Sequence, residues 1–180
     1  MFVASKLIAS GRGLAPALIR RAPHVDLDWD TRQKSRFDAT DSAGTRFGVF
    51  LARGQIARGG DVLVRDDGTL VAVRALAQPV LVVTTRAGGS PHDLLRAAYH
   101  LGNRHVPLEV RVDRLQLEPD HVLAEMLRRM GLNVAAIDAA FEPESGAYGP
   151  GSGRGQGHDH DHGHGHGHGH GHDPHGHAHE

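Results

Sequence analysis

Histidine occupies almost every second position near the end of the chain. Eleven of the sixteen histidines lie between residues 158 and 179, separated by Gly, Asp, Pro or Ala. They are His158, His160, His162, His164, His166, His168, His170, His172, His175, His177 and His179. An exposed imidazole is mostly uncharged at neutral pH, and its free lone pair binds divalent transition metals. A tract of this composition therefore predicts metal binding.

Two simpler interpretations of the tract stay open. It can be an expression tag, although tags are usually unbroken histidine runs, or a pH-sensitive solubilising tail without a ligand. Beyond Tyr148 the sequence has no large apolar side chain. Such a segment cannot offset the entropy lost when its backbone becomes ordered. We therefore expect residues 148–180 to form a disordered Gly/His-rich metal-binding tail.

Composition limits both the metal chemistry and the partners. The chain has 180 residues and no cysteine, so disulfides and thiolate ligands are excluded and any metal must be held by nitrogen and oxygen. The net charge of the whole chain is −1. From residue 149 onward one arginine stands against four acidic residues, which leaves a net charge of +2 for the body. This near balance, without a basic stripe, argues against nucleic acid binding.

The first 21 residues carry four basic and no acidic side chains, a faint likeness to a targeting peptide. Their apolar stretches are short and interrupted by Gly and Pro. No run in the chain approaches the ~18 apolar residues that a membrane span needs. We therefore expect a cytoplasmic protein with no membrane association.

The body divides into two predicted domains where the pattern changes, near residue 78. Before that point short runs of apolar and β-branched residues predict strands, joined by turns such as Asp67-Gly68. The runs lie at residues 2–8, 25–29, 45–51, 62–65 and 69–76. Residues 1–77 are therefore interpreted as a small N-terminal β domain.

Residues 78–147 alternate strands with helices. The β-branched run at 80–85 predicts a buried strand, and Ser90 with Asp93 forms a capping box at the start of a helix. Further strands are expected at residues 106–112, 115–117 and 134–137, with a second helix after Pro119. The resulting order, β-α-β-β-α-β, predicts a ferredoxin-like domain with two helices on one face of an antiparallel sheet. The fold class is therefore α+β.

Two histidines of the body are candidate metal ligands. His105 lies in a loop after the first helix of the second domain, where functional residues are common. His121 opens the next helix beside Asp120, which is consistent with a metal site or with a solvated first turn. Whether His100 or Asp120 contributes stays open. Because no nucleophile, base and orienting group stand out together, the sequence predicts a protein that is not an enzyme.

Several separated motifs, in the right order, resemble UreE, the family of urease accessory metallochaperones. Residues 98–108 (AYHLGNRHVPL) and 120–132 (DHVLAEMLRRMGL) resemble the family's metal-binding domain. Residues 141–148 (FEPESGAY) resemble the end of its folded region, and residues 53–63 (RGQIARGGDVL) resemble its N-terminal domain. The resemblance covers about residues 25–148, and a His-rich tail is a trait of the family.

The resemblance implies roles for individual residues. In the family, the histidine that ends the GNRH motif binds nickel at the dimer interface, and the matching residue here is His105. A histidine at the start of the following helix acts as an auxiliary ligand and is matched by His121. Some members carry another histidine two residues earlier, where this chain has Pro119. The auxiliary site is therefore incomplete unless the tail completes it.

The resemblance also implies an organisation and a function. Residues 1–77 are expected to resemble a chaperone peptide-binding domain, and residues 78–147 to bind metal. A homodimer is expected to work with the GTPase UreG and the urease-accessory protein complex, and to deliver Ni2+ for assembly of the urease metallocentre. Two alternatives stay open: a general Ni2+/Zn2+ storage or buffering protein, and a protein-binding adaptor whose His tail is incidental.

Coordination chemistry agrees with a site shared between two copies. Ni2+ prefers four to six ligands, so one imidazole does not hold it firmly, whereas a two-fold axis doubles the ligand from His105. A flexible Gly-rich tail of about 30 residues has a root-mean-square reach of roughly 30 Å, so its imidazoles can complete such a site. Intrinsic imidazole affinities make Cu2+ and Zn2+ competitors for it.

Overall fold

The computed structural model of this protein describes residues 2–145. The predicted tail ligands from His158 to His179, and the disorder expected for residues 148–180, lie outside the described residues. Among residues 2–145 none of the helices has the length and apolarity needed to cross a membrane.

The first domain is built on a six-stranded mixed sheet. Its strands are β1 (Phe2–Ile8), β2 (His24–Leu27), β3 (Arg36–Thr40), β4 (Arg46–Phe50), β5 (Val62–Arg65) and β6 (Leu70–Ala75). They lie in the order β2-β6-β5-β1-β4-β3. Strand β1 is parallel to β4 and β2 is parallel to β6, and all other neighbouring strands are antiparallel. A 3-10 turn (Ala9–Gly11) and two short helices, α1 (Pro16–Arg21) and α2 (Trp29–Arg32), complete the domain. The core lies on one face of the sheet, where Phe47, Val49, Leu63 and Val71 are fully buried.

The strands predicted for this domain are present, but its helical segments were not expected. The strand predicted at residues 25–29 ends at Leu27, because Asp28 caps the short helix α2. The Asp28 side chain accepts a hydrogen bond from the Thr31 amide at 2.8 Å. Hydrogen bonds from the Thr31 side chain and from its amide lower the pKa of the Asp28 carboxyl. Helix α1 lies in a segment where the glycines and Pro16 had suggested only broken apolar runs.

The second domain has the predicted β-α-β-β-α-β order. Its elements are β7 (Ala77–Thr84), α3 (Pro91–Gly102), β8 (Glu109–Val110), β9 (Leu115–Leu117), α4 (His121–Arg129) and β10 (Asn133–Ala140). The strands lie in the order β10-β7-β9-β8, and every neighbouring pair is antiparallel. Helix α3 begins with the predicted capping box between Ser90 and Asp93.

Three sequence-based expectations for this domain were wrong in their extent. The strand predicted at residues 106–112 is reduced to Glu109–Val110, because the chain turns at His105 and Val112 is fully exposed. Strand β10 is longer than the predicted 134–137 and pairs along the whole of β7. Strand β7 covers residues 77–84 rather than the predicted 80–85, and its Pro79 has no partner in β9, which pairs only with Leu81 to Val83.

Both helices of the second domain pack on the same face of its sheet. Leu94, Ala97 and Leu101 of α3 and Leu127 of α4 are buried against strand residues such as Leu117. Val122, in the first turn of α4, lies outside this core, and its side chain is 60% exposed.

The other face of this sheet packs against the first domain. Val80 of β7 and Phe141, just after β10, form a small core with Trp29 of α2. The rings of Trp29 and Phe141 meet edge to face, with centroids 6.0 Å apart. The Trp29 amide also donates to Gln78 Oε1 at 2.9 Å.

Arg32, Arg58 and Glu142 form what we call the interdomain latch. Arg32 is completely buried, and its Nη1 donates to Glu142 Oε1 at 2.7 Å, while its other nitrogens donate to the carbonyls of Leu27 and Phe141. Arg58 Nη1 donates to Glu142 Oε2 at 3.3 Å. One carboxylate of the second domain is thus bound by two guanidinium groups of the first.

Neighbouring groups strengthen the interdomain latch. The Gly59 amide donates to Glu142 Oε1 at 2.8 Å, and a Cβ atom at Gly59 would lie only 2.9 Å from that oxygen. Both guanidinium groups stack on the Trp29 ring, with their Cζ atoms 5.3 Å (Arg32) and 5.2 Å (Arg58) from its centroid. Glycine at position 59 therefore allows the backbone to approach the carboxylate closely.

We expect Arg32→Met to lower the free energy of unfolding by about 3 kcal/mol. Removing one partner of a buried ion pair costs roughly 3–5 kcal/mol, and Arg58 still partly neutralises Glu142 here. Urea denaturation followed by the fluorescence of Trp29, the only tryptophan, measures the loss. The matched control is Arg46→Met, which removes the exposed Arg46–Asp38 pair and should cost less than about 1 kcal/mol. Equal losses in the two variants would contradict the role given to Arg32.

Candidate metal centre

His105 lies in a tight turn at the end of α3. The Arg104 amide donates to the Leu101 carbonyl at 3.0 Å, and the His105 amide donates to the Gly102 carbonyl at 2.9 Å. His105 has φ of 55°, in the left-handed region. Glycine or asparagine is the usual residue where a helix ends in this conformation, because a Cβ atom is unfavourable there. A histidine kept in a strained conformation points to a functional role for its side chain.

The turn is held on both sides by the rest of the second domain. Arg104 Nη1 donates to the His100 carbonyl at 2.9 Å, which ties the turn back to α3. Leu108, just beyond it, is buried, and its carbonyl accepts from the Glu144 amide at 2.8 Å. The backbone at His105 is therefore fixed, and its exposed imidazole is presented to the surface.

His105 borders a cleft of about 780 Å3 between the two domains. From the second domain, Val106, Pro107 and Leu108 line the cleft beside His105. The wall on the first domain includes Leu7, Ala9, Trp29, Gln33, Gln55, Ile56, Arg58 and Asp61, and Glu144 and Ser145 of the second domain also line the cleft. The lining is mostly apolar, and its polar side chains include His105 and Asp61.

The other predicted ligand of the body is in a different place. His121 is the first residue of α4 and is exposed, and it does not line the cleft. Asp120 serves as the cap of α4, because its Oδ1 accepts from the Leu123 amide at 2.9 Å. His100 lies on α3 in contact with the Tyr99 ring. The structure therefore does not bring His121 to the cleft that His105 borders.

One copy of the body does not assemble a complete set of ligands. Within residues 2–145, no three His, Asp or Glu side chains lie close enough together to hold a metal ion. A site at His105 therefore needs donors from another copy of the chain or from outside the described residues, where the eleven predicted tail ligands lie.

The helix that leads to His105 carries exposed apolar side chains. Leu95 is 66% exposed and Tyr99 is 67% exposed, although both are large. They lie on one face of α3 with His92, Arg96 and His100, around a shallow hollow. Adjacent exposed apolar side chains of this kind are typical of a surface that contacts a protein partner.

A carboxyl near the start of α4 is destabilised in the folded chain. Partial burial raises the pKa of Glu118, and the negative charge of Asp30 in the first domain adds to the rise. A raised pKa means that the ionised carboxyl is unfavourable in the folded state. This penalty is present above the folded pKa and disappears below the unfolded pKa, where Glu118 is protonated in both states.

We expect Glu118→Gln to raise the free energy of unfolding at pH 7 by a few tenths of a kcal/mol, roughly the size of other exposed charge effects. The gain should shrink as the pH falls and vanish below about pH 4, where a carboxyl is protonated in the unfolded chain as well. Thermal unfolding across this pH range measures it. The control Glu125→Gln removes an exposed i,i+4 pair with Arg129 and should be neutral or slightly destabilising. A gain for Glu118→Gln that grows on acidification would contradict the argument.

The strained turn gives a separate prediction for His105. We expect His105→Gly to be more stable than His105→Ala by about 1 kcal/mol, because only glycine avoids the Cβ strain of the left-handed conformation. Chemical denaturation of the two variants measures the difference. At the exposed helical position Arg96 the order should be reversed, with glycine about 1 kcal/mol less stable than alanine. The same order at both positions would contradict the strain at His105.

The chain is similar over most of its length to proteins of one known family. The family model described as "UreE urease accessory protein, N-terminal domain" matches residues 4–76, and "UreE urease accessory protein, C-terminal domain" matches residues 78–180. A protein of Methylibium petroleiphilum named "Urease accessory protein UreE" is 67% identical over 150 residues, covering 83% of this chain and 69% of the relative. One of Albidiferax ferrireducens with the same name is 62% identical, covering 84% and 87%.

These matches, together with the two domains, define the class: a two-domain α+β accessory protein and not an enzyme. The chain belongs to the UreE family of urease accessory proteins. The resemblance noted from the GNRH motif and the other segments is thereby confirmed.

Proposed function

We propose that this protein is a nickel-binding metallochaperone that delivers Ni2+ for assembly of the urease metallocentre. Its relatives are named urease accessory proteins, which supports a part in urease maturation. The observation that carries the metal assignment is His105, an exposed imidazole on a strained turn that lines the interdomain cleft.

In this proposal Ni2+ is the cargo and His105 is its principal ligand. One imidazole is too few for an ion that prefers four to six ligands, and no complete cluster lies within residues 2–145. A homodimer with His105 at its two-fold axis supplies two imidazoles from one position. A site with few protein ligands also suits a carrier, because each imidazole can be exchanged for a ligand of the recipient.

The exposed face of α3 is a suitable surface for the second copy. If the two His105 side chains meet at a two-fold axis, the end of α3 must lie close to the same axis. Leu95 and Tyr99 then have a partner that covers them, which explains why two large apolar side chains are exposed on one face of this helix. His92 and His100 border the same face.

The remaining ligands are assigned to the tail and to α4. The imidazoles between His158 and His179 can complete the coordination of an ion at His105 or hold further ions. His121 is proposed as an auxiliary ligand, and Pro119 replaces the second histidine that some relatives have there. Cu2+ and Zn2+ should compete with Ni2+ at all of these positions.

The wider assignments rest on the same family resemblance. We take residues 78–147 as a ferredoxin-like metal-binding domain, residues 1–77 as a peptide-binding-like domain, and residues 148–180 as a Gly/His-rich metal-binding tail. We further propose a cytoplasmic protein that works with the GTPase UreG and the urease-accessory protein complex. The antiparallel strand order β10-β7-β9-β8 supports the first of these assignments.

The second candidate function is storage or buffering of Ni2+ or Zn2+ without a dedicated recipient. The observation in its favour is the tail, in which eleven histidines offer more ligands than a single delivery site needs. The two functions differ in where the tighter site lies, in the body or in the tail.

Truncation after Tyr148 is expected to lower the number of Ni2+ ions bound per dimer but to leave one tighter site. Adding His105→Ala to the truncated chain should abolish that site, because the symmetric pair of imidazoles is lost. Equilibrium dialysis against Ni2+ measures both changes. The matched control is His24→Ala, which removes a half-buried histidine of strand β2 in the first domain and should leave the tighter site intact.

Two outcomes would contradict the proposal. If the truncated chain binds no Ni2+, there is no site in the body and storage in the tail is the better account. If the truncated chain binds Ni2+ equally well without His105, the ligand assignment is wrong. Urease activation at limiting nickel, with and without the protein, then separates delivery from storage.

A further inference from the structure

The interdomain latch and the cleft at His105 share residues. Trp29, Arg58 and Ser145 line the cleft. Arg58 also binds a segment of the second domain that lines the cleft, because its Nη1 donates to the Pro143 carbonyl at 2.6 Å and its Nη2 to Ser145 Oγ at 2.9 Å. The distance between the first-domain wall and His105 therefore depends on the interdomain latch.

The electrostatic attachment between the domains is concentrated on one carboxylate. Of the ion pairs among residues 2–145, only the two formed by Glu142 join the first domain to the second. Arg32, which forms one of these two pairs, is completely buried, so its charge has no access to water if the Glu142 carboxylate is removed. A change at Glu142 is therefore expected to loosen the domain contact while each domain keeps its own core.

We propose that the interdomain latch controls how fast a metal ion enters and leaves the site at His105, an inference that rests on the proposed function. With the latch closed, the first-domain wall lines the same cleft as His105, and its side chains Leu7 and Ile56 have no donor atoms for an ion. The Asp61 carboxylate of this wall already accepts hydrogen bonds from the Ser10 and Arg58 amides. Water and incoming ligands then reach the ion from the open side only. With the latch broken, this wall withdraws and ligands reach the ion from more directions.

A gate and a metal ligand can be told apart by rates and equilibria. A gate changes the barrier between free and bound ion, so the association and release rates change by the same factor and the Kd is unchanged. A lost ligand weakens the bound state, so the release rate and the Kd rise together. Arg32, Arg58 and Glu142 should behave as parts of a gate.

The test uses the full chain, loaded with less than one Ni2+ per two chains. Stopped-flow mixing with excess chelator gives the release rate, mixing with Ni2+ gives the association rate, and the phase that disappears in His105→Ala is assigned to His105.

The variants are Glu142→Gln and the milder Arg58→Ala, in which Arg32 still holds Glu142. Asp38→Asn, in an exposed ion pair of the first domain, is the matched control. Trp29 emission reports whether the domain contact has opened, and thermal unfolding shows that each variant is folded.

We expect red-shifted Trp29 emission in the latch variants and a rise of about tenfold in both rates, with Kd within about twofold of the unsubstituted chain. Asp38→Asn should change neither the Trp29 emission nor either rate. The inference is overturned if the emission of the latch variants shifts while both rates stay unchanged, or if the emission of neither variant shifts. It is also overturned if the release rate rises while the association rate does not. A chain in which no phase depends on His105 overturns the proposed function itself, and the gate with it.

Discussion

The arrangement of the two domains depends on one buried ion pair, between Arg32 and Glu142. A fully buried guanidinium is stable only where its charge is matched and its donors are satisfied, and Arg32 meets both conditions through Glu142 and two backbone carbonyls. Since these partners come from both domains, the pair forms only when the domains are in contact. It therefore favours one mutual position over others, in addition to the apolar contact between Trp29 and Phe141.

The position of the site follows from that contact. Helix α3 ends in a turn whose last residue adopts the left-handed backbone conformation. That residue is a histidine rather than the usual glycine. The docked first domain supplies one wall of the cleft, and Arg58 of that wall binds the Pro143 carbonyl. The result is an exposed imidazole on a backbone turn that is held in place. Because the described residues offer too few further ligands to hold an ion there, the remaining ligands are sought in a second copy and in the tail.

Local signals in the sequence predicted most of the elements but not their relations. The capping box at Ser90, the turn at Asp67-Gly68 and the family motifs around His105 depend on neighbouring residues and were identified correctly. The strand expected at residues 106–112 was too long, because a histidine in the sequence does not signal the left-handed turn that His105 makes.

The interdomain latch was missed for a different reason. Arg32 and Glu142 are 110 positions apart, and Arg32 lies in a polar stretch that suggests a solvated surface. Burial of an arginine depends on the tertiary partner, and no periodicity in the sequence marks that partner. The only local hint was the single tryptophan at position 29, which lies close enough to cover both guanidinium groups.

The proposed function depends on one nickel ion bound between the His105 side chains of two copies. A crystal structure of the Ni2+-loaded protein, with anomalous diffraction data collected at the nickel absorption edge, locates the ion. We expect an anomalous peak on a two-fold axis, within bonding distance of an imidazole nitrogen of each His105. Nickel peaks that lie only along the tail, with the two His105 side chains apart, would contradict it.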